Sequence, residues 1–237
     1  MVKSLFYQII KYYCRFLVHF FFGKVEIIGR ENIPKNLPVI YSSNHQNAFM
    51  DALIIGGLSP KITYSITRSD VFKKQFQWFL DALKMIPIYR IRDGYSQLAK
   101  NEETFRKINS SLFGGHALTI FSEGNHGNDF FLRNLSKGSS RMALEAQEKM
   151  DHLDIKVIPV GLNYFHHQRP FHKISIVFGQ PISVKNFLQI YIKQKAKGIN
   201  QMRKIIDQGM RNCLLIPKDG PDYQVQRNFI NRNNEYQ

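Results

Sequence analysis

Residues 38–51 read PVIYSSNHQNAFMD. The first five, PVIYS, form a short apolar run opened by a proline, which predicts a buried strand over 38–42. After Ser43 come four more polar residues, Asn44, His45, Gln46 and Asn47. The chain then turns apolar again, which predicts a helix over 48–56 with Asn47 as its cap. A strand passing into a helix through a polar loop is the repeating unit of an α/β protein, and the same alternation extends both ways. Strands are predicted over 25–28, 62–67, 86–91, 117–121, 155–162 and 174–178, and helices over 71–83, 95–112 and 137–150, with 183–215 mostly helical. The fold class is therefore α/β, with a largely parallel or mixed sheet flanked by helices. No repeat or Gly/Pro linker divides residues 24–215, so these form one domain. Residues 1–23 precede it as a separate helix, and residues 216–237 follow as a polar, loosely held tail.

Composition sets the outer limits. At 237 residues and 43% hydrophobic, with 13% aromatic, the chain can bury a core and is not disordered. A mean hydropathy of −0.29 excludes a polytopic membrane protein. The most apolar run, residues 16–22, is interrupted by His19 and falls well short of the roughly 18 residues a spanning helix needs. Two cysteines, Cys14 and Cys213, exclude a disulfide scaffold and suggest a reducing compartment. Lysine and arginine outnumber aspartate and glutamate by 33 to 18, a net charge of +15, which favours anionic partners. The basic residues form no stripe with interleaved aromatics, so nucleic acid is not the expected partner. His166, His167 and His172 lie close together, but no cysteine or acid is placed to complete a zinc set, and no metal is expected.

The first 23 residues have neither the apolar core nor the cleavage site of a signal peptide. Read as a helix, they carry Leu5, Phe6, Ile9, Ile10, Tyr13, Phe16, Leu17, Phe20 and Phe21 on one face. Lys11, Arg15 and His19 line the other. An aromatic face with a cationic back suits a helix lying in a membrane interface. The expected partner is a phospholipid surface, and the expected location is peripheral, on the cytoplasmic face of a membrane.

Three predicted strand ends carry polar clusters: 44–51, 122–127 and 163–164. In α/β folds such ends gather the site. His45 and Asp51 make a candidate catalytic pair. A histidine, with an ordinary pKa of about 6.5, can take a proton near neutrality, and a carboxylate on its other ring nitrogen fixes the tautomer. Six positions apart, the two side chains would point about 120° away from each other on a helix and lie about 20 Å apart on a strand. They meet only if the chain turns between them.

The order of blocks, Asn44-His45 with Asp51, a segment ending Tyr89-Arg90, Phe121-Ser122-Glu123-Gly124, and Val157-Ile158-Pro159-Val160-Gly161, resembles the glycerolipid acyltransferase superfamily over residues 25–178. The resemblance implies a general base at His45 and an orienting acid at Asp51. It places Asn44 beside the base, gives Arg90 the acceptor's phosphate, assigns Glu123 and Gly124 to acceptor binding, and sets Pro159 near the donor. It implies acyl-CoA or acyl carrier protein as donor, no other cofactor, and a lysophospholipid acceptor, lysophosphatidate first; glycerol 3-phosphate and a lyso-aminolipid are alternatives.

Departures accompany the match. Five residues separate His45 from Asp51 where the family usually has four. Ser122 replaces the usual proline, and Asn125-His126 replaces a Thr-Arg pair, so Arg133, Lys137 or Arg141 is expected to supply the missing charge. Arg92 rivals Arg90. With no Gly-x-Ser-x-Gly elbow, direct attack by the acceptor hydroxyl is expected, with N–H groups at the start of the 48–56 helix as oxyanion donors. The longer spacing also leaves room for a catalytically silent lipid-binding scaffold.

Overall fold

The computed structural model describes residues 2–90 and 99–232, with side chains from Leu5 onward. In chain order the elements are α1 (Val2–Phe21), β1 (Lys24–Ile28), β2 (Val39–Ser43), α2 (Ala48–Leu58), β3 (Thr63–Arg68), α3 (Gln77–Ala82), β4 (Met85–Ile88), α4 (Asn101–Phe113), β5 (Ala117–Phe121), α5 (Gly138–Lys149), β6 (Lys156–Tyr164), β7 (Lys173–Phe178), β8 (Ile182–Ser183), α6 (Lys185–Lys193), α7 (Lys195–Arg211) and α8 (Tyr223–Arg232). The strands make one mixed sheet in the order β1-β7-β6-β2-β5-β3-β4, with β8 on the start of β6. β6, β2, β5, β3 and β4 run parallel; β7 returns antiparallel to β6, and β1 follows β7. The parallel strands thus end along one edge, and β2 ends there between β5 and β6.

β2 is buried on both faces, as its continuous apolar reading requires. Ile40 packs with Leu118, Val157 and helices α4 to α7. Its neighbour Tyr41 faces the opposite way, onto Ile54 and Ile55 of α2 and Val18 and Phe22 near the end of α1. This period of two puts α1 and α2 on one side of the sheet and α4 to α7 on the other.

α1 docks along a narrow stripe. Tyr7, Cys14 and Val18 are buried, and the Tyr7 hydroxyl accepts from Thr63 N at 3.0 Å. Lys11 is drawn into this contact, its Nζ donating to Lys61 O at 2.9 Å, and burial lowers its pKa. Gly57 allows the approach: a Cβ there would lie 3.2 Å from Arg15 N. The aromatic face read from the sequence points outward, with Leu5, Ile9, Tyr13, Phe16 and Phe20 each more than half exposed.

Two expectations need correction. Residues 71–83 are not one helix: two 3-10 turns, Ser69–Val71 and Lys74–Phe76, precede the short α3. The segment buries only Leu80 along α3, so it has no apolar face to hold a longer helix. Residues 216–237 are not a loose tail as far as residue 232. Ile216 is 1% exposed, and α8 sets Tyr223 and Ile230 against the α1–α2 side of the core.

The chain from Cys213 to Ile216 crosses directly over β6. Asn163 holds it, donating to Cys213 O at 3.0 Å and accepting from Leu215 N at 2.9 Å. Gly161 leaves the room, since a Cβ there would fall 2.1 Å from Cys213 O. Gly161→Ala is therefore expected to cost about 1–3 kcal/mol through overpacking. Gly56→Ala meets nothing within 4 Å in α2 and should be neutral or stabilising by up to about 1 kcal/mol. Paired urea melts check both, and equal midpoints would refute the crossing contact.

Candidate active site

His45 stands two residues past β2, at the edge where the parallel strands end. Its imidazole lies flat on the Phe121 ring, centroids 4.1 Å apart at 13°, with His126 edge-on at 5.7 Å. Nδ1 is 2.8 Å from Asp51 Oδ2. Nε2 has no hydrogen-bond partner among the described residues, and the side chain retains 17% exposure. Asp51 lies in the first turn of α2 and is fully buried. Its Oδ2 also accepts from the backbone N–H groups of Gln46 and Asn47, both at 2.9 Å, while Oδ1 accepts from the Tyr164 hydroxyl at 2.5 Å. Four donors match the lone-pair capacity of one carboxylate.

The extra residue between His45 and Asp51 is absorbed in the turn. Ala48 takes a positive φ of 43°, and the loop folds back over the carboxylate. That conformation is unusual for a residue with a Cβ, and strained backbone of this kind collects at functional sites. The Gln46 and Asn47 N–H groups are bound to Asp51, so neither serves as an oxyanion donor.

Glu123 braces the loop from the β5 side. Its side chain is 1% exposed; Oε2 accepts from His45 N at 2.8 Å, and Oε1 accepts from Arg133 N at 2.9 Å. The Arg133 guanidinium donates to Glu123 Oε2 at 3.0 Å, to His45 O at 3.4 Å and to Asn125 O. Glu123, expected on the acceptor, is bound to the chain's own donors, and Arg133, one of the three candidates for the missing charge, is engaged with it. Gly124 takes a φ of 78° in the turn closed by its N–H onto Phe121 O.

Asn44 and Pro159, also expected near the substrates, face the body. The β2–β6 ladder ends at Ser43 and Val160, and the Asn44 amide extends it by bonding both N and O of Leu162, at 2.8 and 2.9 Å. Pro159 is buried in mid-strand opposite Ser42, under Gly209 of α7, and its carbonyl accepts from Gly179 N. Arg90 lies just past β4, at the same edge as His45. Arg68 ends the neighbouring β3, opposite Ile88, and went unnoticed in the sequence. Arg68 forks onto Asp70 and holds that carboxylate below its usual pKa, with Arg90 adding to the effect. Arg92 lies outside the described residues.

A second layer closes behind the loop. His167 donates Nε2–H to Gln46 Oε1 at 3.1 Å, and its carbonyl accepts from Asn47 Nδ2 at 2.7 Å. Burial pushes the His167 pKa down to about 4. The unfolded chain then binds more protons between about pH 6.5 and 4, so stability is lost as pH falls through that window, by on the order of 2 kcal/mol. His167→Gln should flatten the urea-midpoint slope between pH 7 and pH 5; an unchanged slope would remove His167 as its source. Among the described residues, no group of three or more His, Cys, Asp or Glu side chains is placed to hold a metal.

The family profile described as Acyltransferase matches residues 24–163, more than half of the chain. The chain belongs to the acyltransferase family. It is 23% identical over 133 residues to glycerol-3-phosphate O-acyltransferase 1 of Saccharomyces cerevisiae, a match covering 55% of this chain and 18% of that protein. It is 28% identical over 142 residues to a 1-acyl-sn-glycerol-3-phosphate acyltransferase of Chlamydomonas reinhardtii, covering 60% and 39% respectively. The chain therefore spans well under half the length of these relatives. The crystal structure of PlsC from Thermotoga maritima, titled a 1-acyl-sn-glycerophosphate acyltransferase, superposes with a TM-score of 0.64 at 18% identity, covering 89% of this chain and 80% of that one. The mixed α/β architecture is the one it shares.

Proposed function

We propose that this acyltransferase-family chain moves a fatty acyl group from an acyl thioester to a hydroxyl of a glycerophospholipid precursor, with lysophosphatidate the favoured acceptor. The observation that carries this reading is the His45 Nδ1–Asp51 Oδ2 contact of 2.8 Å, with no hydrogen-bond partner for Nε2 among the described residues. An imidazole so held can take a proton only at Nε2. The acceptor oxygen attacks the thioester carbonyl carbon as its proton passes to Nε2. The tetrahedral intermediate then expels the thiolate, which takes that proton and leaves as a thiol. The C–S bond is exchanged for C–O, and His45 ends neutral. No cofactor is needed beyond the donor, acyl-CoA or acyl carrier protein. Arg90, just past the tip of β4, suits the acceptor's phosphate, since a guanidinium fork pairs with phosphate in two bonds.

A membrane surface is the partner that best fits the outward face of α1. No helix among the described residues is long and apolar enough to cross a bilayer, so the chain would lie on it, on the cytoplasmic side. Phe171 continues the aromatic face, its ring 6.4 Å from that of Phe20, and Trp78 is 66% exposed on α3, which touches α1. Replacing Phe16 and Phe20 together by serine should weaken binding to anionic liposomes about 100-fold, taking about 1.5 kcal/mol for each buried ring. Unchanged sedimentation with liposomes would refute the docking face.

The test of the reaction itself uses purified protein in mixed micelles. It is offered lysophosphatidate, glycerol 3-phosphate or a lyso-aminolipid with each donor, and products are read by mass spectrometry. Phosphatidate, formed from lysophosphatidate, is the expected product, and no acylation of any acceptor with either donor would overturn the reading.

A further inference from the structure

Tyr164 ends β6, 113 residues from Asp51 in sequence, yet its hydroxyl donates to Asp51 Oδ1 at 2.5 Å. The two oxygens of Asp51 are held differently. Among the described residues, Oδ2 has three donors, all from the His45 to Asn47 loop, whereas Oδ1 has Tyr164 alone. That loop is the one lengthened by a residue and turned through a positive φ at Ala48. A carboxylate fixed only by the loop it must itself hold has no outside reference. Tyr164 supplies one from the sheet. Its ring is wedged between Phe22, at 5.9 Å, and His167, at 5.1 Å, and its backbone is registered to Ile174 of β7.

We propose that Tyr164 is a positioning residue: its phenol pins Oδ1 of Asp51 and so aims Oδ2 at His45 Nδ1, fixing the imidazole with Nε2 toward the substrates. This rests on the reading of His45 as general base. Burial, with the Asp51 charge beside it, pushes the phenol's own pKa well above its ordinary value, so the hydroxyl remains the donor wherever the enzyme works. Without it, Oδ1 would be a buried acceptor with no partner, and the carboxylate would turn to find one.

Tyr164→Phe removes the hydroxyl and keeps the ring. It should lower kcat roughly 10- to 100-fold, as expected when a catalytic group is slightly misplaced, with KM for both substrates within about twofold. The effect must run through Asp51. In an Asp51→Asn background, Tyr164→Phe should change kcat by less than about twofold, so the two losses will not add. Full additivity would mean that the Tyr164 hydroxyl acts by a route independent of Asp51 and would overturn the proposal, as would an unchanged kcat in the single variant. Should Tyr164→Phe fail to fold, 4-aminophenylalanine at position 164 keeps the ring and an N–H donor. It should hold kcat within about tenfold of the parent, and a folded but inactive protein would equally overturn the assignment. The underlying reading fails separately: turnover surviving His45→Ala removes the base itself, whereas a dead His45→Ala beside an unaffected Tyr164→Phe removes only the role of Tyr164.

Discussion

His45→Ala should lower kcat by ~10²–10⁴-fold, the range a positioned general base contributes, while the protein melts close to the parent. The two expectations come from one geometry. The imidazole is part-exposed and stacked on Phe121, so its loss opens little of the core. Asp51 keeps Tyr164 and two backbone N–H donors without it, so the loop retains its closure. KM should change little, because the interaction removed is one made with the proton in flight. Steady-state kinetics on a variant with a parental melting curve checks this. More than a tenth of parental turnover would remove His45 as the base and favour a lipid-binding scaffold.

Glu123→Ala should be the most damaging substitution for stability. It strips the partner from the Arg133 guanidinium and leaves the N–H groups of His45 and Arg133 without acceptors. Breaking a buried ion pair by removing one member costs about 3–5 kcal/mol. Glu123→Gln keeps one good acceptor and should cost less, about 1–3 kcal/mol. Activity should fall in both, with the loss in kcat, because the brace holds the backbone of the base. Urea denaturation beside kinetics separates this from headgroup binding. A normal midpoint with a raised acceptor KM would return Glu123 to the substrate.

The strand-loop-helix reading of residues 38–51 was legible because local pattern and burial agree there. PVIYS is buried on both faces, and Asp51 falls on the first turn of the predicted helix. That His45 and Asp51 touch was not legible, since contact depends on the left-handed turn at Ala48, and alanine gives no warning of it. Asn44 and Glu123 bond the chain's own backbone, which was not legible in the sequence for a shared reason. A polar side chain at a strand end can bind a substrate or its own backbone, and only the neighbouring strand, β6 for Asn44 and β2 for Glu123, decides. Arg68 escaped because it ends a strand whose pattern carries no motif. Tyr164 had a faint signal as a polar residue closing an apolar strand, but its partner was 113 positions away. The C-terminal helix was hidden by its composition, since Tyr223 and Ile230 are spaced among glutamines, asparagine and arginine.

The glycine contact between α1 and α2 carries a mechanical consequence. α2 begins beside the acid that orients the base and, 11 residues later, ends at Leu58, one residue past Gly57 and its seat on α1. At 1.5 Å per residue it is a stiff spacer about 16 Å long. Were α1 to lie at a lipid surface, as proposed, that spacer would set the height of the reacting alcohol above the bilayer, and a bulkier residue at 57 would tilt the protein on its lipid support.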